Sequence, residues 1–275
     1  MPADPAYRPV ILIPVYNHPD TVENVVRRLL STGAAVLLID DASDPPAREA
    51  CERCRALGAG LVRRAASGGR GASILTGFKA ARQAGFTHAL VFDAGGRHDP
   101  DAARKFLEVS RKHPNDLVCG YAQRFRTYPR RERLARRLAD AGACLAALSL
   151  APRDVMCRLR VYPLAALSQL CACIGLGPRA EFELEVLVRL MWLGLRLRML
   201  PIEPRPPADG VSHYEPVRDT LRIAGMSAKL FFIMLTRLPA VLVSRAAGWS
   251  PAPALGSEPS QAHPAHTNSS HDTSL

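Results

Sequence analysis

Two continuously apolar runs near the start of the chain constrain the fold most. Residues 10–15 read VILIPV and residues 35–40 read AVLLID. Runs of this length without alternation are typical of strands buried on both faces of a parallel sheet. Between them, apolar residues recur with a helical period, at Val22, Val25, Val26, Leu29 and Leu30. Strand, helix and strand in this order predict a right-handed crossover unit of an α/β sheet.

The same alternation continues and predicts an α/β fold with helices on both faces of the sheet. Further strands are predicted at 61–62, directly before Asp93, at 116–120 and at 197–202. Further helices are predicted near 47–57, 72–84, 100–112 and 181–192. Asp20 and Glu23 have the spacing of a capping box, which predicts the start of the first helix there.

Charge and cysteine content limit the function classes. The net charge is +11, carried by 32 Arg and only 4 Lys. This charge indicates an anionic partner, although a GC-rich genome alone would also favour arginine. Few aromatic residues accompany the arginines of 124–137, only Phe125 and Tyr128, so we expect no nucleic-acid partner.

Seven cysteines, an odd number, lie inside predicted helices and strands and indicate reduced, buried thiols rather than a disulfide framework or a zinc site.

The first residues lack the basic segment of a signal peptide, which favours a cytoplasmic location. The most apolar late segment, 230–243, is shorter than the 18 or so residues that a membrane-spanning helix needs, and it contains Arg237 and Pro239. It therefore fits either an interfacial membrane contact or a helix packed on the domain.

Polar residues follow three of the predicted strands. Residues 14–17 read PVYN, residues 40–44 read DDASD, and residues 92–100 read FDAGGRHDP. Ligands of α/β sheets bind at the carboxyl ends of the strands, so these groups are expected to face one crevice. The turn at 67–73, SGGRGAS, opens a helix whose amides could face an anion, or it is simply a flexible connection.

Taken together, these segments resemble the family 2 glycosyltransferases of GT-A fold in order and spacing. Within that family, the resemblance is closest to polyprenyl- or dolichyl-phosphate sugar synthases and to the enzymes of aryl polyene clusters. The resemblance covers about Pro9 to Pro239. It implies an N-terminal extension at 1–8 and a single GT-A domain at 9–245, Rossmann-like, with a mixed, mostly parallel sheet. Residues 9–120 would form the nucleotide-binding half and 121–245 the acceptor half; 246–275 are expected to be a disordered tail because Pro, Ser, Ala and His dominate.

The resemblance also implies the residues of the donor site. They are Pro14, Tyr16 and Asn17 around the nucleotide, Asp41 on the base or ribose, Gly71 in the Gly-rich turn, and Asp93 beside the diphosphate. The family usually has a second aspartate two positions after Asp93, and together they hold Mg²⁺ or Mn²⁺. Here Gly95 stands in its place. We expect a weakened or absent metal, with Asp93, the donor and water, or His98 or Asp99, or arginines such as Arg97, as the alternatives.

For the transfer step, the family resemblance points to Asp154, and Glu183 is the other carboxylate candidate for a general base. Either residue equally fits a structural salt bridge. A lipid phosphate acceptor would need no base, since it is already ionised. Residues for the acceptor phosphate are expected among Arg124, Arg131, Arg133, Ser212 and His213, where His213 departs from a Ser-Lys pair of the prenyl-phosphate enzymes.

The sequence thus predicts an inverting glycosyltransferase that moves a sugar from a nucleotide-diphosphate sugar to a lipid-like acceptor, an aryl polyene lipid or a polyprenyl phosphate. The enzyme is expected to be cytoplasmic and peripheral to the inner membrane. The alternative is a non-catalytic nucleotide-sugar binding protein, because Gly95 leaves the metal motif incomplete.

Overall fold

The computed structural model describes residues 7–123, 130–203, 205, 208, 210 and 216–246. For residues 130, 131, 216, 217 and 237–246 it describes the backbone only. The predicted tail at 246–275 therefore lies almost wholly outside the described residues. Of the predicted N-terminal extension, Tyr7 and Arg8 are described: the Tyr7 hydroxyl donates to the Leu107 carbonyl at 3.0 Å, and the Arg8 amide donates to Thr87 Oγ1 at 2.9 Å.

Seven strands form one sheet in the described part of the chain, and six of them run in the same direction. They are β1 (Pro9–Val15), β2 (Ala35–Asp40), β3 (Gly60–Arg63), β4 (His88–Val91), β5 (Leu117–Ala122), β6 (Arg160–Pro163) and β7 (Leu197–Ile202). Their order across the sheet is β3-β2-β1-β4-β6-β5-β7. Only β6 is antiparallel to its neighbours, β4 and β5. The mixed, mostly parallel sheet confirms the predicted fold class.

Helices cover both faces of this sheet. They are α1 (Val22–Leu30), α2 (Pro45–Ala56), α3 (Arg70–Gln83), α4 (Asp101–Lys112), α5 (Arg130–Ala147), α6 (Leu164–Cys173), α7 (Phe182–Trp192) and α8 (Pro216–Ala246). Helices α1, α2 and α4 pack with Ile11 and Ile13 of β1 on one face. The other face, with Val10 and Leu12, is covered by α3, α5, α6, α7 and α8. Successive β1 residues thus enter opposite cores, which is why the run is apolar without alternation.

The capping box predicted before α1 is wrong. Thr21 is the N-cap residue, but its side chain makes no capping bond. Instead the Thr21 hydroxyl donates to the Ala94 carbonyl at 2.8 Å. The hydroxyl therefore ties the start of α1 to the loop after β4, a long-range contact that a local pattern does not predict.

The cysteine prediction holds in part. All seven thiols are free, and Cys51, Cys54, Cys119 and Cys157 are buried. Burial raises the pKa of Cys51 to about 12, so that thiol stays protonated and acts as a core residue. Cys171 and Cys173, at the end of α6, are exposed, which contradicts the expectation that the thiols are buried.

Helix α8 contains the apolar segment at 230–243 and extends over 31 residues. Among the described residues, no helix combines the length and apolar character needed to cross a membrane. The first part of α8 packs on the domain through Ile223, Met226, Leu230 and Met234.

Candidate active site

A pocket of about 520 Å³ opens at the carboxyl ends of β1 and β2. Pro14 and Tyr16 line it after β1, and Asp41 lines it after β2. Because β1 pairs in parallel with both β2 and β4, the ends of all three strands meet at this edge. The pocket extends to the start of α7 and to α5 and α8, where Glu183, Glu132, Arg136, Asp219 and Arg222 line it.

Asp41 holds the Gly-rich turn in place. Its carboxylate accepts hydrogen bonds from the Ser67 hydroxyl at 2.9 Å and from the Gly69 amide at 2.9 Å. It also accepts from the Gly68 amide at 3.2 Å and forms a short ion pair with Arg64. The predicted contact of Asp41 with a base or ribose stays a prediction, while these bonds give the side chain a second role in ordering the turn.

Asn17 and Gly71 support the loops around the pocket and do not line it. Asn17 has a positive φ of 54° and exchanges two hydrogen bonds of 2.8 Å with Asp44, which joins the loops after β1 and β2. Gly71 packs against the segment before α7, where an added Cβ would lie 2.8 Å from both the Gly177 carbonyl and the Phe182 Cβ. Their predicted contacts with the nucleotide stay predictions.

Three guanidinium groups surround the buried Asp93 carboxylate. Arg70 Nη1 and Arg158 Nη1 each lie 3.7 Å from Asp93 Oδ1, and Arg97 Nε lies 4.0 Å from Asp93 Oδ2. The reversed strand β6 explains the place of Arg158. Val91, at the end of β4, pairs with Arg160, at the start of β6, so the residues just before β6 lie beside those just after β4.

The charges of this cluster shift the pKa values of its members. Burial alone would raise the pKa of the Asp93 carboxyl, but Arg70, Arg158, His98 and Arg97 outweigh it and lower the pKa to about 2. Burial lowers the pKa of His98 to about 4, against the opposing effect of Asp93. Asp93 is therefore ionised and His98 neutral at neutral pH. Burial, and then the charge of Arg70, lower the pKa of Arg158.

Arg70 connects the cluster to Glu183. Its Nε donates to Glu183 Oε1 at 2.8 Å, while Nη1 faces Asp93. Its Nη2 is buried and has no hydrogen-bond partner among the described residues. A buried donor without a partner is costly in a native protein, which makes this atom a candidate for binding a ligand.

The residues present do not fit a dedicated divalent-cation site. Mg²⁺ and Mn²⁺ take oxygen ligands, and a cation at Asp93 would lie close to three guanidinium groups whose positive charges would repel it. Asp99 is engaged by Arg28 at 2.8 Å and Arg205 at 2.9 Å. Across the described ranges, no group of three or more His, Cys, Asp or Glu side chains is arranged to hold a metal.

Asp154 lies at the other end of the pocket with both carboxylate oxygens engaged. Arg136 Nη1 donates to Oδ1 at 2.5 Å, and the Ala122 amide donates to Oδ2 at 2.9 Å. Asp140 supports this loop by accepting from the Asp154 and Val155 amides at 3.0 and 2.8 Å. These contacts favour a positioning role for Asp154.

Of the predicted acceptor residues, Arg133 is the only one whose side chain the structure describes, and it is not among the side chains that line the pocket. Arg133 lies on α5 and is half-buried. Arg124, Ser212 and His213 lie outside the described residues, and of Arg131 only the backbone is described. The residues missed from the sequence are Arg70, Arg158, Arg136 and Arg222. Arg70 is part of the Gly-rich turn and Arg158 follows Asp154 by four positions, but nothing in either pattern indicates that both face Asp93.

Comparison with known families agrees with this geometry. The sequence model described as "Glycosyl transferase family 2" matches residues 10–159, which is more than half of the chain. The chain belongs to glycosyl transferase family 2. The family prediction is therefore confirmed, whereas the finer resemblance to polyprenyl-phosphate or aryl polyene enzymes stays a prediction.

Solved structures of S. aureus TarS, residues 1–349, have the same fold as this family 2 chain. The complex with UDP has a TM-score of 0.52 and 14% identity over 81% of this chain and 65% of the TarS fragment. The complex with UDP-GlcNAc has a TM-score of 0.52 at 14% identity, over 81% and 66%. The structure without a named ligand has a TM-score of 0.51 at 14% identity, over 84% and 73%. The chain thus spans about two thirds of the length of these fragments, and no curated protein matches it.

Proposed function

We propose that this family 2 chain is an inverting glycosyltransferase that transfers a sugar from a nucleotide-diphosphate sugar to a lipid-like acceptor. The observation that carries the proposal is the pocket at the strand ends. Tyr16, Asp41, Arg70, Arg97 and Arg158 all line this pocket. We expect the nucleoside to bind beside Tyr16 and Asp41 and its diphosphate beside the three arginines. TarS binds UDP and UDP-GlcNAc, which makes uridine nucleotides the first donors to test.

The acceptor side of the proposal rests on exposed apolar residues beside the pocket. On α5, Leu134 and Leu138 are 60% and 63% exposed, and on α8 Phe232 is 65% exposed. Helices α5 and α8 pack against each other, so these side chains belong to neighbouring surfaces. Leu145 on α5 and Leu221 and Leu235 on α8 continue the same two helical faces. We call these six residues the apolar face.

Basic residues adjoin the apolar face, and the whole chain carries a net charge of +11. Arg137 on α5 and Lys229 on α8 are exposed. Apolar side chains flanked by arginine and lysine suit an anionic bilayer surface, where the acyl region receives the leucines and the headgroups pair with the cations. The acceptor would then reach the pocket between α5 and α8, at the cytoplasmic face of the inner membrane.

Glu183 is the better candidate for a general base if the acceptor is a hydroxyl. It lines the pocket, and its hydrogen bond from Arg70 would orient the carboxylate. Asp154, with both oxygens engaged, would instead position the loop at 154–158. A phosphate acceptor would not require either carboxylate as a base.

The test is transfer of labelled sugar into the organic phase. Purified protein would be incubated with UDP-glucose, UDP-GlcNAc or GDP-mannose and either polyprenyl phosphate or a bacterial lipid extract. We expect a labelled lipid with at least one donor. For a hydroxyl acceptor, Glu183→Gln should lower kcat about 100-fold or more, whereas for a phosphate acceptor the loss should stay below about tenfold.

The second candidate is a non-catalytic nucleotide-sugar binding protein, which Gly95 specifically favours. It predicts that the protein binds a nucleotide sugar but forms no transfer product with any acceptor. Binding without product in the assay above would support this candidate and reject the transferase.

A further inference from the structure

We propose that the donor diphosphate is bound by the guanidinium groups of Arg70, Arg97 and Arg158, without a divalent metal ion. This inference rests on the proposed function, because it names how the same pocket holds the donor. The three groups converge on Asp93 within 3.7 to 4.0 Å. With Asp93 and Glu183 the local charge is three positive minus two negative, which leaves a net +1 for an anionic ligand.

The geometry of position 95 supports this assignment. A Cβ there would lie 3.3 Å from Asp93 Oδ2 and 3.3 Å from the His18 ring. The side chain of a second aspartate would thus start in tight contact with the first carboxylate. A metal ion between the two would have to offset their mutual repulsion. With glycine, the space is left open and the Gly95 amide approaches Asp93 Oδ2 at 3.3 Å.

Arg70 and Arg158 also have binding capacity that their ion pairs with Asp93 leave unused. The buried Arg70 Nη2 has no partner among the described residues, and the side chain of Arg158 is 33% exposed and lines the pocket. The ion pair of Arg158 with Asp93 is longer than a hydrogen bond, so the carboxylate does not saturate this guanidinium. Planar guanidinium groups bind phosphate oxygens in pairs, which is the geometry a diphosphate requires.

Two described residues after β7, Arg205 and Ala208, bond to the turn that carries Arg97. The Arg205 amide donates to the Arg97 carbonyl at 2.9 Å, and the Ala208 amide donates to the Gly95 carbonyl at 3.0 Å. These bonds fix the backbone of the turn at 95–97 and hold Arg97 beside Asp93. The arginines are therefore arranged before the ligand binds, as an electrostatic site requires.

Calorimetric titration tests the inference. Inorganic pyrophosphate, UDP and GDP would each be titrated in EDTA, and UDP and GDP again with Mn²⁺. We expect pyrophosphate and at least one nucleotide to bind in EDTA, with Mn²⁺ changing Kd by less than about twofold. Arg158→Gln should weaken binding about tenfold to a hundredfold, as expected for loss of a charge-assisted contact.

Two further variants extend the test, one as a control and one that changes the charge at position 95. Arg198→Gln is the matched control, because Arg198 has a similar exposure of 38% but pairs with Asp116 at 2.6 Å, far from the pocket in β7. It should leave Kd unchanged. Gly95→Asp adds a negative charge to the cluster, so binding in EDTA should weaken and Mn²⁺ should now strengthen it. Circular dichroism would establish that each variant is folded.

The outcomes separate this inference from the proposed function. Nucleotide binding by the wild-type protein that requires Mn²⁺ would overturn the arginine site and leave the proposed transferase intact. Unchanged Kd in Arg158→Gln would also overturn it. Absence of binding by pyrophosphate in EDTA, and by both nucleotides with and without Mn²⁺, would reject the diphosphate site together with the proposed donor.

Discussion

At the scale of single residues, the electrostatics of the site depend on charged groups that are buried, where charges interact more strongly than in water. Asp93 is an acid held ionised by surrounding arginines, and His98 is an imidazole held neutral beside them. His98 Nδ1 is buried and has no hydrogen-bond partner among the described residues, and its ring meets Phe92 edge-on at 6.0 Å. Protonation of His98 would therefore add a fourth positive charge at a largely buried place.

This arrangement predicts how stability depends on pH. The unfolded chain binds a proton at His98 near pH 6.5, but the folded protein binds it only near pH 4. Between these values the unfolded state carries more protons, so the free energy of unfolding falls as the pH decreases, by up to about 3 kcal/mol. We expect His98→Gln to flatten this slope in urea unfolding measured from pH 7 to pH 4. Equal slopes in both proteins would contradict the assignment.

At the scale of secondary-structure elements, close packing between α3 and the segment before α7 shapes the pocket. Gly69, the N-cap of α3, has a positive φ of 90°, and Gly71 lies directly against Gly177 and Phe182. This contact allows Arg70, between them, to reach both Asp93 and Glu183. The Gly-rich turn is thus required for packing as well as for conformational freedom.

Two alanine substitutions test this packing between α3 and the segment before α7. Gly71→Ala should lower the free energy of unfolding by about 1–3 kcal/mol, because its Cβ would overlap backbone and side-chain atoms. Gly225→Ala, in α8, is the matched control: an added Cβ there meets no described atom within 4 Å, so removing a helical glycine should stabilise by about 0.5–1 kcal/mol. Urea unfolding measures both. A stable Gly71→Ala protein would show that α3 and the segment before α7 can separate without cost.

At the scale of the whole molecule, the pocket that we propose for the nucleotide lies beside the apolar face. Charged side chains such as Asp41 and Arg70 line the pocket at the sheet edge, and α5 and α8 present exposed leucines. A polar donor would then bind among charged side chains and a lipid-like acceptor beside apolar ones, and the two could meet in the pocket. The proposed membrane contact is a property of the assembled helices, since neither helix alone forms the surface.

Vesicle sedimentation tests the membrane contact. The wild-type protein should bind phosphatidylglycerol vesicles more strongly than phosphatidylcholine vesicles, and added salt should weaken the binding. Leu138→Glu with Phe232→Glu should reduce binding about tenfold or more, since it removes apolar area and repels anionic lipid. Leu150→Glu, at an exposed leucine outside both helices, should have a smaller effect. Equal binding by the wild-type and double-variant proteins would reject the apolar face as the contact.

The sequence alone determined most of the framework. The unbroken apolar runs of β1, β2 and β4 and the helical period of α1 predicted buried strands and packed helices at almost the observed bounds, because these patterns are local. Strand ends carrying Tyr16, Asp41 and Asp93 predicted which edge of the sheet holds the site, because parallel strands end at the same edge. The absence of a second aspartate at Gly95 was also visible in the sequence.

The tertiary structure decided how the charges of the site are balanced. Arg158 precedes a strand that runs against its neighbours, and only that reversal places it beside Asp93. Arg70 reaches Glu183 over 113 positions in sequence, and Thr21 bonds to Ala94 instead of capping its own helix. Such contacts depend on strand order and helix packing rather than on local pattern, so residues far apart in the chain become one charged cluster only when the sheet is assembled.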